Sequence, residues 1–134
     1  MQKFTTFLLF VGKQHGKAEE AIKFYVSLFK NSNIVQIQHY GPGEQEPEGT
    51  VKRAIFSLGG QEFMAIDSAA KHEFTFTPSI SIFVQCESER EIDTLYKCFM
   101  DEGDAKMPLN NYGFSKKFAW VADKYGVSWQ LNLA

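Results

Sequence analysis

Residues 4–11 are mostly apolar at odd and even positions alike, the pattern of a strand buried on both faces. Gly12 to Gly16 breaks the run. From Lys17 to Lys30 the apolar residues fall at positions 18, 21, 22, 25, 28 and 29, which is one face of an amphipathic helix. Asn31-Ser32-Asn33 stops it, and residues 34–40 alternate as a strand. Residues 41–49 read as an acidic loop rich in Pro and Gly. Strands over 51–58 and 61–67 flank Gly59-Gly60, a tight-hairpin signal. After a connector at 68–77 the pattern predicts a strand at 78–85 and a helix at 89–102. Ser88 and Glu91 have capping-box spacing at the start of that helix, and Gly103 stands where it should stop. Residues 104–115 read as irregular or as a short edge strand. Strands at 116–122 and 127–133 are joined by Asp123 to Gly126.

The order of elements occurs twice. Phe10-Val11 overlies Phe83-Val84, and Glu19, Ile22 and Phe29 overlie Glu89, Ile92 and Phe99. The expected fold is therefore α+β, a single domain over 1–134 built of two tandem βαβββ modules. Module one covers about 1–70 and module two about 76–134. The expected arrangement is a curved mixed sheet around a cup, with the helices on the outer face. A cleft formed by two such modules is a common place for a ligand.

Alternation in two strands assigns the faces. Ile80, Ile82 and Val84 point one way, and Ser79, Ser81 and Phe83 the other. Trp129, Leu131 and Leu133 likewise oppose Ser128, Gln130 and Asn132. One face is apolar and should carry helices; the other is polar and small, which calls for solvent or a ligand. A solvated face is common in antiparallel sheets. The duplication favours a cup. Its expected lining in the first module is Thr6, Leu8, Phe10 and Phe63. In the second it is Ser79, Ser81, Phe83, Ser128, Gln130 and Asn132, with Trp120 and Tyr112 beside them.

Composition narrows the classes. The formal charge is -2, and Lys and Arg are scattered, so no nucleic-acid surface is expected. No apolar run is long enough to span a bilayer, and the first residues lack a signal layout, so the expected location is cytoplasmic. Cys86 and Cys98 have the spacing of neither a zinc knuckle nor a redox pair and read as two free thiols. His15 falls in a turn, His39 near a strand end and His72 in the connector, where histidines are usually just solvated.

Segments spread over nearly the whole chain resemble the vicinal-oxygen-chelate superfamily of glyoxalase I, bleomycin and fosfomycin resistance proteins and extradiol dioxygenases. They are Ala18–Ser32, Gly60–Asp67, Phe76–Ser81 and Asp123–Gln130. Within that superfamily they are most similar to the PhnB-like branch, often described as 3-demethylubiquinone-9 3-methyltransferase. The resemblance implies paired βαβββ units around a small-molecule site, and a homodimer. Metal enzymes of the superfamily place His or Glu on four strands. The matching positions here are Thr6, Met64 or Ala65, Ser79 and Gln130, and none is a His or a carboxylate. Hydroxyls and one amide are poor ligands for Zn, Ni or Fe. No metal and no cofactor are therefore expected.

The function expected on these grounds is metal-free binding of an unknown small organic molecule, with Gln130 as the leading pocket residue. The alternative is an enzyme of the same superfamily, of lyase, isomerase or dioxygenase type, with an atypical active site. Glu62 and Asp67 would be its candidate acid and base, though both also read as surface carboxylates. Methyl transfer is not expected. The only tight glycine pair sits in a hairpin, and the chain is too short for the larger α/β sheet of a typical S-adenosylmethionine site plus a substrate domain.

Overall fold

In each half of the chain the first strand pairs in parallel with the last, and a helix makes the crossover that a parallel pair requires. The computed structural model describes residues 1–134. Its chain falls into two compact units, Met1–Thr75 and Phe76–Ala134. The first unit contains β1 (Thr6–Phe10), a short 3-10 turn (Gly12–Gln14), α1 (Ala18–Leu28), β2 (Asn33–His39), β3 (Val51–Leu58) and β4 (Gln61–Asp67). The second contains β5 (Ile82–Gln85), α2 (Glu89–Met100), β6 (Asp104–Asn110), β7 (Lys117–Ala122) and β8 (Ser128–Leu133). The sheet orders are β1-β4-β3-β2 and β5-β8-β7-β6, so the two four-stranded mixed sheets share one topology. No helix is long and apolar enough to cross a membrane.

Packing identifies the covered face of each sheet. Ala18, Ala21, Ile22 and Tyr25 form the buried stripe of α1, and the Tyr25 ring lies 6.5 Å from that of Phe56 on β3. Phe56 stacks on its cross-strand partner Phe63 at 5.4 Å. In the second unit Ile92, Leu95 and Phe99 are the buried stripe of α2, and Phe99 stacks on Trp129 of β8 at 4.6 Å. Such pairs add directional preference to plain area burial.

The helix starts are held differently. Ser88 Oγ accepts the Glu91 amide at 3.1 Å, as the capping-box pattern predicts. The Glu91 carboxylate reaches one residue further back and accepts from the Glu87 amide at 2.7 Å. Lys17 caps nothing with its side chain. Instead Asp67, at the end of β4, accepts from the amides of Gly16 at 2.8 Å and Ala18 at 3.2 Å through Oδ1. Its Oδ2 accepts from the Val51 amide at 2.8 Å. Asp67 is buried, which corrects the expectation of a surface carboxylate; three N–H donors offset its desolvation.

Several boundaries differ from the pattern. β5 begins at Ile82, four residues later than expected, where its pairing with β8 starts at Trp129. Ser79 and Ile80 thus have no strand to pair with. Residues 104–110 form an edge strand whose register with β7 shifts on both sides of Met107, and Pro108 is tolerated at this edge. At the end of α2 it is Glu102, not Gly103, that takes the left-handed conformation, at φ 59°. Gly103 is needed for space: a Cβ there would lie 2.1 Å from the Phe99 carbonyl oxygen and 2.8 Å from that of Ala122.

Both cysteines are free; Cys86 is buried at the end of β5 and Cys98 is partly exposed on α2. Burial, reinforced by the nearby Glu91 carboxylate, pushes the Cys86 thiol up to about 12.

Three outcomes are expected. Asp67→Asn should lower stability by about 1–3 kcal/mol, read as a lower urea midpoint at unchanged slope. An unchanged midpoint would mean that the three amides find other acceptors. Gly103→Ala should lose about 2 kcal/mol or more in the same assay. With a thiol reagent at pH 8, Cys98 should react in the native protein and Cys86 only on unfolding; two equally fast thiols would contradict the burial argument.

Candidate functional site

The register of the strands sorts every predicted pocket residue onto a face. In the second unit, β8 lies between β5 and β7, with Gln130 opposite Phe83 on one side and Trp120 on the other. These three share the face turned away from α2, because their neighbours Trp129, Leu131 and Val121 are the buried residues of the helix side. Asn132 and Ser128 lie on the same open face, as do Phe118 and Ala122. Met107 of the edge strand pairs with Trp120.

Most polar groups of this face are already committed. Ser128 Oγ accepts from Trp120 Nε1 at 2.9 Å and shares a hydrogen bond with Ser81 Oγ at 2.6 Å. Asn132 accepts from Ser115 Oγ at 2.5 Å and donates to Gln85 Oε1 at 3.0 Å. Gln130 is the exception, as no hydrogen bond occupies its amide. Phe83 beside it is 56% exposed. Tyr112 and Phe114 extend the apolar surface by packing on Phe118, at 6.3 and 5.1 Å between ring centroids. The result is an aromatic wall with one uncommitted group that can donate and accept at once.

The first unit departs from expectation. Thr6, Leu8 and Phe10 pair with Phe63, Ala65 and Asp67, and Phe63 and Ala65 pair with Phe56 and Ala54. This is the face that α1 covers. Phe10 is 0% exposed, and Leu8 and Phe63 are also buried; they are core residues rather than a pocket lining. Thr6 is exposed at the start of β1, on that same side. The open face carries Phe7, Leu9, Ile55, Met64 and Ile66 instead. The overlay of Phe10 on Phe83 is therefore out of phase by one residue, and in a strand one residue exchanges the faces. The apolar run of β1 has no alternation to prevent the slip. The small residues Ala54 and Ala65, which let α1 approach, are the signal that could have prevented it.

Of the four positions matched to superfamily metal ligands, only Gln130 and Met64 face the open side. Ala65 lies under α1, and Ser79 lies off the sheet, bonded to Thr77 Oγ1 at 2.6 Å. Nowhere do three or more His, Cys, Asp or Glu side chains converge as they would around a metal ion. His39 is paired with Glu19 at 2.6 Å, and His72 shares a hydrogen bond with Ser68 at 3.1 Å. The hydrogen bonds from Lys23 and His39 hold the Glu19 carboxyl below its ordinary range. Glu62 is partly exposed and pairs with Lys3 at 2.5 Å.

Comparison with known proteins agrees with this topology. The profile of a family described as 3-demethylubiquinone-9 3-methyltransferase matches residues 2–132. A solved structure from Bacillus cereus, described as a putative 3-demethylubiquinone-9 3-methyltransferase and PhnB protein, is 56% identical with a TM-score of 0.94. The match covers 99% of this chain and 100% of that one. A Pseudomonas aeruginosa protein is 21% identical at a TM-score of 0.82, covering 99% and 98% of the two chains, and shares the fold. So does the genomically encoded fosfomycin resistance protein FosX from Listeria monocytogenes, 13% identical at a TM-score of 0.60, with 100% and 95% covered. No functionally curated protein matches the sequence. With its two βαβββ units and a family match over nearly its whole length, the chain belongs to the PhnB-like 3-demethylubiquinone-9 3-methyltransferase family, which has the vicinal-oxygen-chelate fold.

Proposed function

We propose that this protein binds a small, flat organic molecule on the open face of the β5–β8 sheet, without a metal ion and without chemical conversion. The observation that carries this reading is Gln130, whose uncommitted amide stands on a central strand between Trp120 and Phe83. Aromatic side chains supply broad apolar contact, and one fixed polar group supplies orientation. An amide on such a wall suits a ligand with adjacent donor and acceptor atoms on one edge, as in a heteroaromatic ring or an aromatic amide.

The metal-free part rests on donor chemistry. The open-face positions nearest Gln130 hold aromatic rings, a serine already bonded twice and an asparagine already bonded twice. None offers a carboxylate, an imidazole or a thiolate, the side-chain donors that hold Zn, Ni or Fe. Methyl transfer is no part of this reading. Each sheet has a single parallel pair, and Gly59 and Gly60 make the β3–β4 hairpin at φ 59° and 90° rather than a turn into a helix. A cytoplasmic homodimer is also part of the proposal. Exposed Phe7 on β1 is apolar surface that a second copy would cover.

Tryptophan fluorescence offers a direct test. The two tryptophans are distinguishable because Trp129 is buried under α2 while Trp120 faces the open side. Flat heteroaromatic amides should quench Trp120 saturably, and Trp120→Phe should abolish the change. Gln130→Ala should weaken binding about tenfold, close to 1.4 kcal/mol, with the melting temperature unchanged. Unchanged affinity in that variant would remove Gln130 from the site. Calorimetric titration of tag-free, chelator-treated protein with Zn, Ni, Mn and Fe(II) should show no stoichiometric binding. Micromolar or tighter binding would favour an enzyme instead.

A further inference from the structure

A chain of hydrogen bonds on the open face of the β5–β8 sheet has a fixed direction. Trp120 Nε1 lies 2.9 Å from Ser128 Oγ, and Ser128 Oγ lies 2.6 Å from Ser81 Oγ. An indole N–H can only donate, so Ser128 Oγ accepts from Trp120. Ser128 is 3% exposed, and its side chain makes no further hydrogen bond. Bulk water does not reach its proton, and a buried hydroxyl proton without an acceptor is destabilising. The Ser128 proton therefore goes to Ser81 Oγ. Ser81 is the accepting end of the chain, and its own proton has no acceptor within the protein. The other hydroxyls around this face have given theirs away, Ser115 to Asn132 Oδ1 and Tyr112 to the Pro108 carbonyl.

Register puts that spare proton beside Gln130. Ile82 pairs with Trp129, so Ser81, one residue before β5, stands opposite Ser128. Gln130 is two residues further along β8 and on the same face. Ser81 and Gln130 are thus diagonal neighbours on adjacent strands, roughly 7–8 Å apart. Phe83 and Trp120 flank Gln130 on either side. An aromatic ring with a polar group at each end spans such a separation while lying against those two side chains. Ser81 is partly exposed, so its hydroxyl can be reached. Accepting from Ser128 also polarises it, which makes it a better donor and a poorer second acceptor.

We infer that Ser81 is a specificity-determining residue of this face, a donor aimed at the ligand by the Trp120–Ser128 chain behind it. The inference rests on the proposed binding of a flat molecule at Gln130 and narrows its class. The ligand carries an amide-like edge toward Gln130 and, at the opposite end of its ring, an acceptor without a proton. A carbonyl oxygen or an unprotonated ring nitrogen qualifies. A molecule with a C–H or an amine at that end forgoes the Ser81 bond, and discrimination follows from that lost bond.

The probes are isonicotinamide, benzamide and 4-aminobenzamide. They share the carboxamide and place an acceptor nitrogen, a C–H and an amine donor, respectively, at the far end of the ring. Binding to the full chain near neutral pH is followed through the side-chain amide 15N–1H signals of Gln130. Isonicotinamide should bind about fivefold tighter than the other two. Ser81→Ala should bring the three affinities together, and Ser81→Thr, which keeps the hydroxyl, should retain the preference. Equal affinities in the native protein would overturn the role of Ser81. So would a preference that survives Ser81→Ala, or tightest binding by 4-aminobenzamide; in each case the Gln130 signals would still uphold the site. Gln130 signals that respond to none of the probes would remove the site and the role of Ser81 together.

Discussion

The first unit depends on one buried carboxylate. Asp67 ends β4 and gathers the amides of Gly16, Ala18 and Val51 within 3.2 Å. Through those bonds a single side chain fixes where α1 begins, where β3 begins and how both meet the parallel pair. The helix has no cap of its own, so its orphan amides would otherwise face an apolar interior. The second unit uses the same physics at another place. Asp123, buried in the β7–β8 turn, accepts from the Tyr125 and Val127 amides at 2.9 and 3.1 Å and from Trp129 Nε1 at 2.9 Å. There the carboxylate locks a turn and a core indole, and the start of α2 is left to Ser88. Ionised acceptors make the strong hydrogen bonds, and a buried one is tolerable only when its oxygens are filled.

Two copies of one topology have therefore diverged in what they present. Each helix covers one sheet face, and the opposite face is free to vary. In the first unit it became apolar, with Phe7, Leu9, Ile55, Met64 and Ile66. In the second it kept alternating polar positions between aromatic rings, and most of those polar groups bond to one another. Gln130 stands out because its neighbours are satisfied.

The second unit was legible strand by strand because Ser128–Leu133 alternates strictly, and alternation states which side faces the core. The face of β8, the helix α2 and its Ser88 cap all followed from pattern alone. The first unit was legible in its elements but not in its faces. Thr6–Phe10 carries large apolar residues on both sides, so the strand is recognisable and its orientation is not. Leu8 and Phe10 therefore read as pocket residues from the sequence, and the repeat, aligned one residue out of phase, reads the same way. Ser79 failed for another reason: strand-like alternation continues upstream of Ile82, but the partner strand does not.

The sequence by itself determined the element order, the tandem βαβββ repeat, the Gly59-Gly60 hairpin and the family, because these depend on local periodicity, turn chemistry and motifs contiguous in the chain. Tertiary structure alone decided which side of β1 lies under α1, that Asp67 caps a helix some fifty positions earlier, and that Gln130 is free while Asn132 is not. It also brought His15 and His72 to one cleft across more than fifty positions of chain. Each of these depends on which residues become neighbours through strand register, and register is set by the sum of packing and hydrogen bonding across a sheet rather than by any segment read alone.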